Sequence, residues 1–198
     1  MEHRIVDELP FGLGWLILER YGRTSHALAA DGRVWLVDPV DVDGLDDRIA
    51  ALGEPAGVVQ LLDRHGRDCA AIATRFGVPH QVVPESLPGT PFEVKQIVRR
   101  RVWREVALWW PERRTLVCAD ALGTLRYFNA GGGAVGLHPF LRLRPPGSLR
   151  GLAPEHILVG HGRGVHGEAA AGEVELAFET ARTGLPRWGL NVLRRDRA

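Results

Sequence analysis

The stretch VVQLLDRHGRDCAAIATRFGVPH, Val58 to His80, decides how the chain is read. Its opening continues a short apolar run from Gly57 to Leu62, which predicts a strand. Asp63 to Asp68 are polar or glycine, and then Ala70, Ile72, Ala73 and Phe76 recur at helical spacing over Asp68–Phe76. Gly77 follows where a helix commonly ends on a left-handed residue.

Upstream, His26 to Ala30 leads through Asp31-Gly32 into Val34 to Val37, the pattern of a hairpin. Val6 to Leu18 is β-like but interrupted by Pro10 and two glycines, and Leu45, Ile49 and Leu52 carry helical spacing up to Gly53. Downstream, Gln81 to Val83, Phe92 to Val98, Glu105 to Trp110 and Thr115 to Ala119 read as strands, with a turn region from Pro84 to Pro91. Asn129 to Gly136 is a glycine-rich loop, Ile157 to Val159 a buried strand, Glu168 to Arg182 a closing helix, and the tail from Arg194 to Ala198 is expected to fray. No long-period repeat and no linker divides the chain, so one domain is expected over 1–198. Strand runs followed by single helices occur twice, which suggests two packed sheets with helices outside.

The totals exclude several classes. A chain of 198 residues buries roughly 70% of its unfolded surface, enough for a full core. With 25 basic against 24 acidic residues the net charge is +1, so neither nucleic acid nor an anionic membrane is expected as a partner. The apolar runs are too short to span a bilayer, and no charged-then-apolar leader opens the sequence; the expectation is a cytoplasmic protein. Two cysteines, Cys69 and Cys118, make no disulfide framework.

Four segments between about Thr24 and Trp188 resemble, in order, the metallo-β-lactamase superfamily. Ser25 to Pro39 resembles its opening hairpin with a strand-ending acid, here Asp38. Val58 to His80 resembles the strand, loop and helix that carry the H-x-H-x-D-H signature. Glu105 to Gly123 is similar to the hairpin ending in a Gly-Asp pair, and Glu155 to Gly162 to the strand that delivers the last His ligand. The resemblance implies an α/β fold, a four-layer αββα sandwich with a metal site along one edge.

It does not bring the whole site with it. Arg64 and Gly66 stand at the two leading His positions of the signature, Asp68 at its Asp and Cys69 at its third His, while His65 falls between ligand positions. No histidine occurs between His80 and His138, so the ligand before the hairpin is missing and Arg101 to Trp103 occupy that stretch. Asp120 matches the bridging Asp and His161 the final His. The resemblance thus implies loss of the three-His position and survival of Asp68, Cys69, Asp120 and His161, a set one zinc, iron or manganese ion accepts. Against it, Arg64, with Arg101, could turn into the vacated volume, pair with Asp120 or Asp68, and repel a cation. The expectation is no cofactor, with a single ion as the alternative.

Each residue also has a plainer role. Asp68 precedes a helix and suits an N-cap; Cys69 suits a small buried hydrophobe; Asp120 suits a turn cap; His161, between Gly160 and Gly162, suits a loop hydrogen bond. Gly131 to Gly133 read as a mobile lid, and Trp103, Trp109 and Trp110 as core and rim packing. The leading expectation is a non-catalytic pseudoenzyme that binds a small molecule in the old cleft. The alternatives are a mononuclear hydrolase of an ester, thioester or related bond, and metal-free chemistry of Cys69 with His65 or His161.

Overall fold

The computed structural model describes residues 1–129 and 132–195, with side chains to 190. Most of the tail expected to fray, and Gly131 of the glycine cluster, lie outside the described residues. In the first half β1 (His3–Leu9), β2 (Gly12–Ile17), β3 (Thr24–Ala30), β4 (Arg33–Val37), α1 (Leu45–Leu52), β5 (Glu54–Gln60), α2 (Cys69–Phe76) and β6 (His80–Val82) follow one another. The six strands form one sheet in sequence order, antiparallel up to β4 and parallel from β4 to β6. The connections dictate that change. Asp31 and Gly32 both take positive φ (50° and 72°), as a tight hairpin turn needs, whereas α1 and α2 carry the chain back to start parallel strands.

The second half contains β7 (Glu93–Arg100), β8 (Trp103–Trp110), β9 (Thr115–Cys118), the short pair β10 (Leu122–Gly123) and β11 (Gly136–Leu137), then β12 (His156–Val159), β13 (Val165–His166), α3 (Ala169–Glu179) and α4 (Leu185–Arg195). Its main sheet has the order β13-β12-β9-β8-β7, with β9 and β12 parallel. Among these elements β10, β11 and β13 are two-residue runs too short to be separated in the sequence, β1 and β2 share the interrupted β-like stretch from Val6 to Leu18, and α4 follows the expected closing helix as a further, amphipathic one.

Alternation along the strands builds the layers, because successive side chains leave opposite faces of a sheet. Trp35 and Val37 of β4 point between the sheets to meet Val117 and Leu158, while Val34 and Leu36 point outward onto Ile49 and Ile72 of α1 and α2. In the second sheet Leu116, Ile157 and Val159 face Val174 and Phe178 of α3. The result is helices, sheet, sheet and helix, stacked in that order. Each fully buried Leu or Ile contributes about 1.5–3 kcal/mol to this stack. No helix among the described residues is long and apolar enough to cross a membrane.

Parallel strands place their carboxyl ends together, and ligands of α/β sheets bind at such ends. Here Asp38 directly follows β4, β5 runs into the loop before α2, and Asp120 and His161 lie just beyond the ends of β9 and β12.

Candidate metal centre

Three side chains converge where those ends meet. His65 Nε2 lies 3.3 Å and His161 Nε2 3.2 Å from Asp120 Oδ1. A ligand atom from each of the three lies within 4.8 Å of the others, close enough to share an ion. Neither contact has hydrogen-bond geometry, so Asp120 Oδ1 is buried without a hydrogen-bond partner. The three atoms lie together without hydrogen-bonding one another.

The far side of each imidazole is fixed. His65 Nδ1 donates to Asp38 Oδ2 at 2.8 Å, and His161 Nδ1 donates to the Tyr21 carbonyl at 2.7 Å. Both partners only accept, so in the neutral ring the lone pair sits on Nε2 and points to the shared space. Histidine ligands are commonly oriented this way. Asp38 is anchored in turn by the Leu61 N–H, which donates to its Oδ1 at 2.8 Å. Gly160 and Gly162 let the His161 turn pass close to the neighbouring strand: a Cβ on Gly160 would stand 2.7 Å from the Ala119 carbonyl, and Gly162 has φ 99°.

Charge is arranged around the same point. Burial works against a charged His65, but the Asp38 and Asp120 carboxylates outweigh it and raise its pKa to about 9. Burial would also raise Asp120, yet the two imidazoles hold its carboxyl well below the usual range. Glu105, fully buried beneath the site, is pushed up to about 8 by burial and by the Asp120 charge. Its Oε1 accepts the Asp120 and Ala121 backbone N–H groups at 2.9 and 2.6 Å, and its Oε2 accepts the Trp103 indole N–H at 2.9 Å.

Of the side chains picked out in the sequence, the structure brings Asp120 and His161 together and sets Asp68 and Cys69 apart from them. Asp68 makes no side-chain cap; its Oδ2 accepts the Asp41 N–H at 2.8 Å on the other side of the loop. Cys69 is buried among Ile72, Ala73 and Leu36, its thiol 3.5 Å from the His65 carbonyl and pushed up to about 12 by burial, so no thiolate forms at neutral pH. Arg67 takes φ 39°, and the loop presents His65, not 64 or 66, to Asp38.

Arg64 does reach the site. One guanidinium nitrogen lies 3.9 Å from Asp120 Oδ2, another donates to the Val102 carbonyl at 3.0 Å, and the group lies over the Trp103 ring. Arg101 is exposed in the turn between β7 and β8, with no ion pair to either acid. Arg67 is the cation that the sequence reading missed. Its Nη1 donates to the carbonyls of Thr24 (2.5 Å) and Asp38 (2.7 Å), and its Nη2 to that of Gly160 (3.1 Å), tying both sheets beside the two histidines. Nothing in the local pattern distinguishes Arg67 or Glu105 from ordinary surface charges, because, Trp103 apart, their partners lie far away in sequence.

No protein-family model matches the sequence, and no curated protein matches it. Solved structures do match, and the chain has the metallo-β-lactamase fold. The DIM-1 metallo-β-lactamase is similar with a TM-score of 0.61 at 15% identity, over 92% of this chain and 98% of that one. The metallo-β-lactamase from Pontibacter korlensis gives 0.53 at 9% identity, over 90% and 99%. The chemotaxis sensor ODP from T. denticola, in its apo state, gives 0.54 at 14% identity, over 92% and 97%. At these identities the likeness is one of fold.

Proposed function

We propose that this protein holds one metal ion through His65 Nε2, Asp120 Oδ1 and His161 Nε2 and hydrolyses an ester, thioester or related bond there. The observation that carries the reading is the pair of histidines whose outer nitrogens are committed to Asp38 and Tyr21 while their inner nitrogens and a partnerless carboxylate oxygen face one space. Two imidazoles and a carboxylate suit zinc, ferrous iron or manganese, with open positions left for substrate. Other proteins of this fold support a metal: one solved structure is a peroxy diiron species of the chemotaxis sensor ODP. Such an ion supplies Lewis acidity towards a carbonyl or phosphoryl oxygen. The chain's own part is to keep Asp120 ionised, to fix both ring orientations, and to hold Arg64 at the mouth.

A second reading, a metal-free protein that binds a small molecule in the same cleft, is favoured by charge balance. A protonated His65 and Arg67 already offset Asp38 and Asp120 without any added cation. Elemental analysis of protein purified without chelators separates the two. About one equivalent of zinc, iron or manganese, lost together with esterase or thioesterase turnover on chelation, supports the first. Metal-free protein that takes up no ion from a zinc or ferrous buffer overturns it.

A further inference from the structure

A second group of imidazoles lies away from the candidate centre, where the edge strands of the two sheets meet. His156 of β12 and His166 of β13 stand directly opposite each other in the antiparallel pair. Cross-strand neighbours of this kind share one face of the sheet. Their Nδ1 atoms lie 3.2 Å apart, with the ring planes at 55° to each other. Two imidazole nitrogens on one tetrahedral zinc ion, each about 2.0–2.1 Å from the metal, are separated by about 3.3 Å. The pair therefore has the spacing of two ligands. The His166 side chain is 33% exposed, so an ion can reach the position from solvent.

The far side of His166 is already fixed. Its Nε2 donates to Asp7 Oδ1 at 3.0 Å, and the same oxygen accepts the Gly164 N–H at 2.9 Å. Burial works against a charge on Asp7, but His166, His26 and the Gly164 amide hold its carboxyl below the usual range. Asp7 therefore only accepts, which leaves the lone pair of a neutral His166 on Nδ1, facing His156. A carboxylate behind the imidazole is the arrangement that orients histidine ligands. Gly164 permits it, because a Cβ there would stand 2.7 Å from Asp7 Oδ1 and 2.9 Å from His166 Cε1. Burial and the neighbouring His166 ring hold His156 below the usual imidazole range, so it is uncharged at neutral pH.

We infer that His156 and His166 form a second cation site, in which their Nδ1 atoms clip one zinc or similar divalent transition-metal ion between β12 and β13. Imidazole suits such ions and not magnesium. Without the ion His156 Nδ1 donates to His166 Nδ1; on binding, that proton moves to Nε2 of the His156 ring. Water fills the remaining positions, because Glu155, next to His156, is paired with Arg114 at 3.2 Å. Through Asp7 the ion also ties β13 to β1, the edge strands of the two sheets. The clip shares no residue with the candidate centre.

Zinc titrated into the full chain tests this, followed by the ring-nitrogen NMR resonances of each histidine, which separate the clip from His65 and His161. The Nδ1 resonances of His156 and His166 are expected to shift together and to saturate with one equivalent, whatever happens at the other two rings. His156→Gln, read at His166, and His166→Gln, read at His156, should each weaken the binding at least about tenfold, and Asp7→Asn, which keeps an acceptor but loses the charge, by about tenfold. Magnesium at the same concentration should leave both rings unmoved. Rings that stay unshifted at millimolar zinc, or an affinity in His156→Gln equal to that of the unaltered chain, overturn the inference. Shifts at His65 and His161 alone support the hydrolytic centre and overturn the clip, whereas shifts at His156 and His166 alone support the clip and count against the centre.

Discussion

Glu105 holds up Asp120 by its backbone: one fully buried carboxyl oxygen accepts the N–H groups of Asp120 and Ala121, and the other accepts the Trp103 indole N–H. Three donors surround a group that in Gln would carry an N–H2. Glu105→Gln must set that N–H2 against one of them, so a stability loss of about 1–3 kcal/mol is expected. Urea unfolding of the variant at neutral pH checks it, and an unchanged midpoint would contradict the arrangement.

In protein stripped with a chelator, two groups set how stability changes between about pH 7 and 9. His65 titrates at about 9 when folded against 6.5 when free, so its contribution is fully present below pH 6.5 and is lost as the pH rises through 9. Glu105 keeps its proton up to about 8 against 4.5 when free, so ionising it removes stability between those values. Both effects have the same sign. Below about pH 6.5 His26, His138 and His156, whose pKa values burial lowers, act in the opposite sense, so the unfolding midpoint should fall between about pH 7 and 9, and His65→Gln should reduce that fall, by on the order of 3 kcal/mol at most.

Ligand identity separates sequence from geometry. His65→Ala and His161→Ala should each lower zinc affinity at least about 100-fold, more than the 10–100-fold typical of outer-shell changes. Asp68→Asn and Cys69→Ala should leave it unchanged, because those side chains are turned to the Asp41 amide and to the α2 core. Competition with a chromophoric chelator measures all four, and a large loss in Cys69→Ala would restore the set that the family signature implies.

Removing Arg67 should be costly whichever way the cleft is used. Arg67→Met leaves the carbonyls of Thr24, Asp38 and Gly160 without this donor, at about 1–3 kcal/mol for each one that stays buried and unpaired. Arg67→Lys can satisfy some of them and should lie between. Thermal unfolding orders the three proteins.

The layers were legible because burial imposes a period. Trp35 and Val37 alternate with Val34 and Leu36 whatever the loops do, and Gly53 and Gly77 end their helices for conformational reasons local to them. Asp120 and His161 could be found because the segments that carry them, Glu105 to Gly123 and Glu155 to Gly162, resemble the family's hairpin and last strand. The loop before α2 could not be read in the same way. There the fold of the loop turns His65, rather than residue 64 or 66, to Asp38, and no spacing rule carries that information. Apart from Trp103, the partners of Glu105 and Arg67 lie 15 to 93 positions away, and a linear pattern has no means to show such pairings.

His65 belongs to the half of the chain that makes the first sheet, whereas Asp120 and His161 belong to the second. Anything lodged among them therefore acts as a rivet through the sandwich. Its escape would be timed by how often the two halves part, so a slow off-rate would track global opening measured by amide exchange, and a chain synthesised only as far as α2 would have no place to keep it.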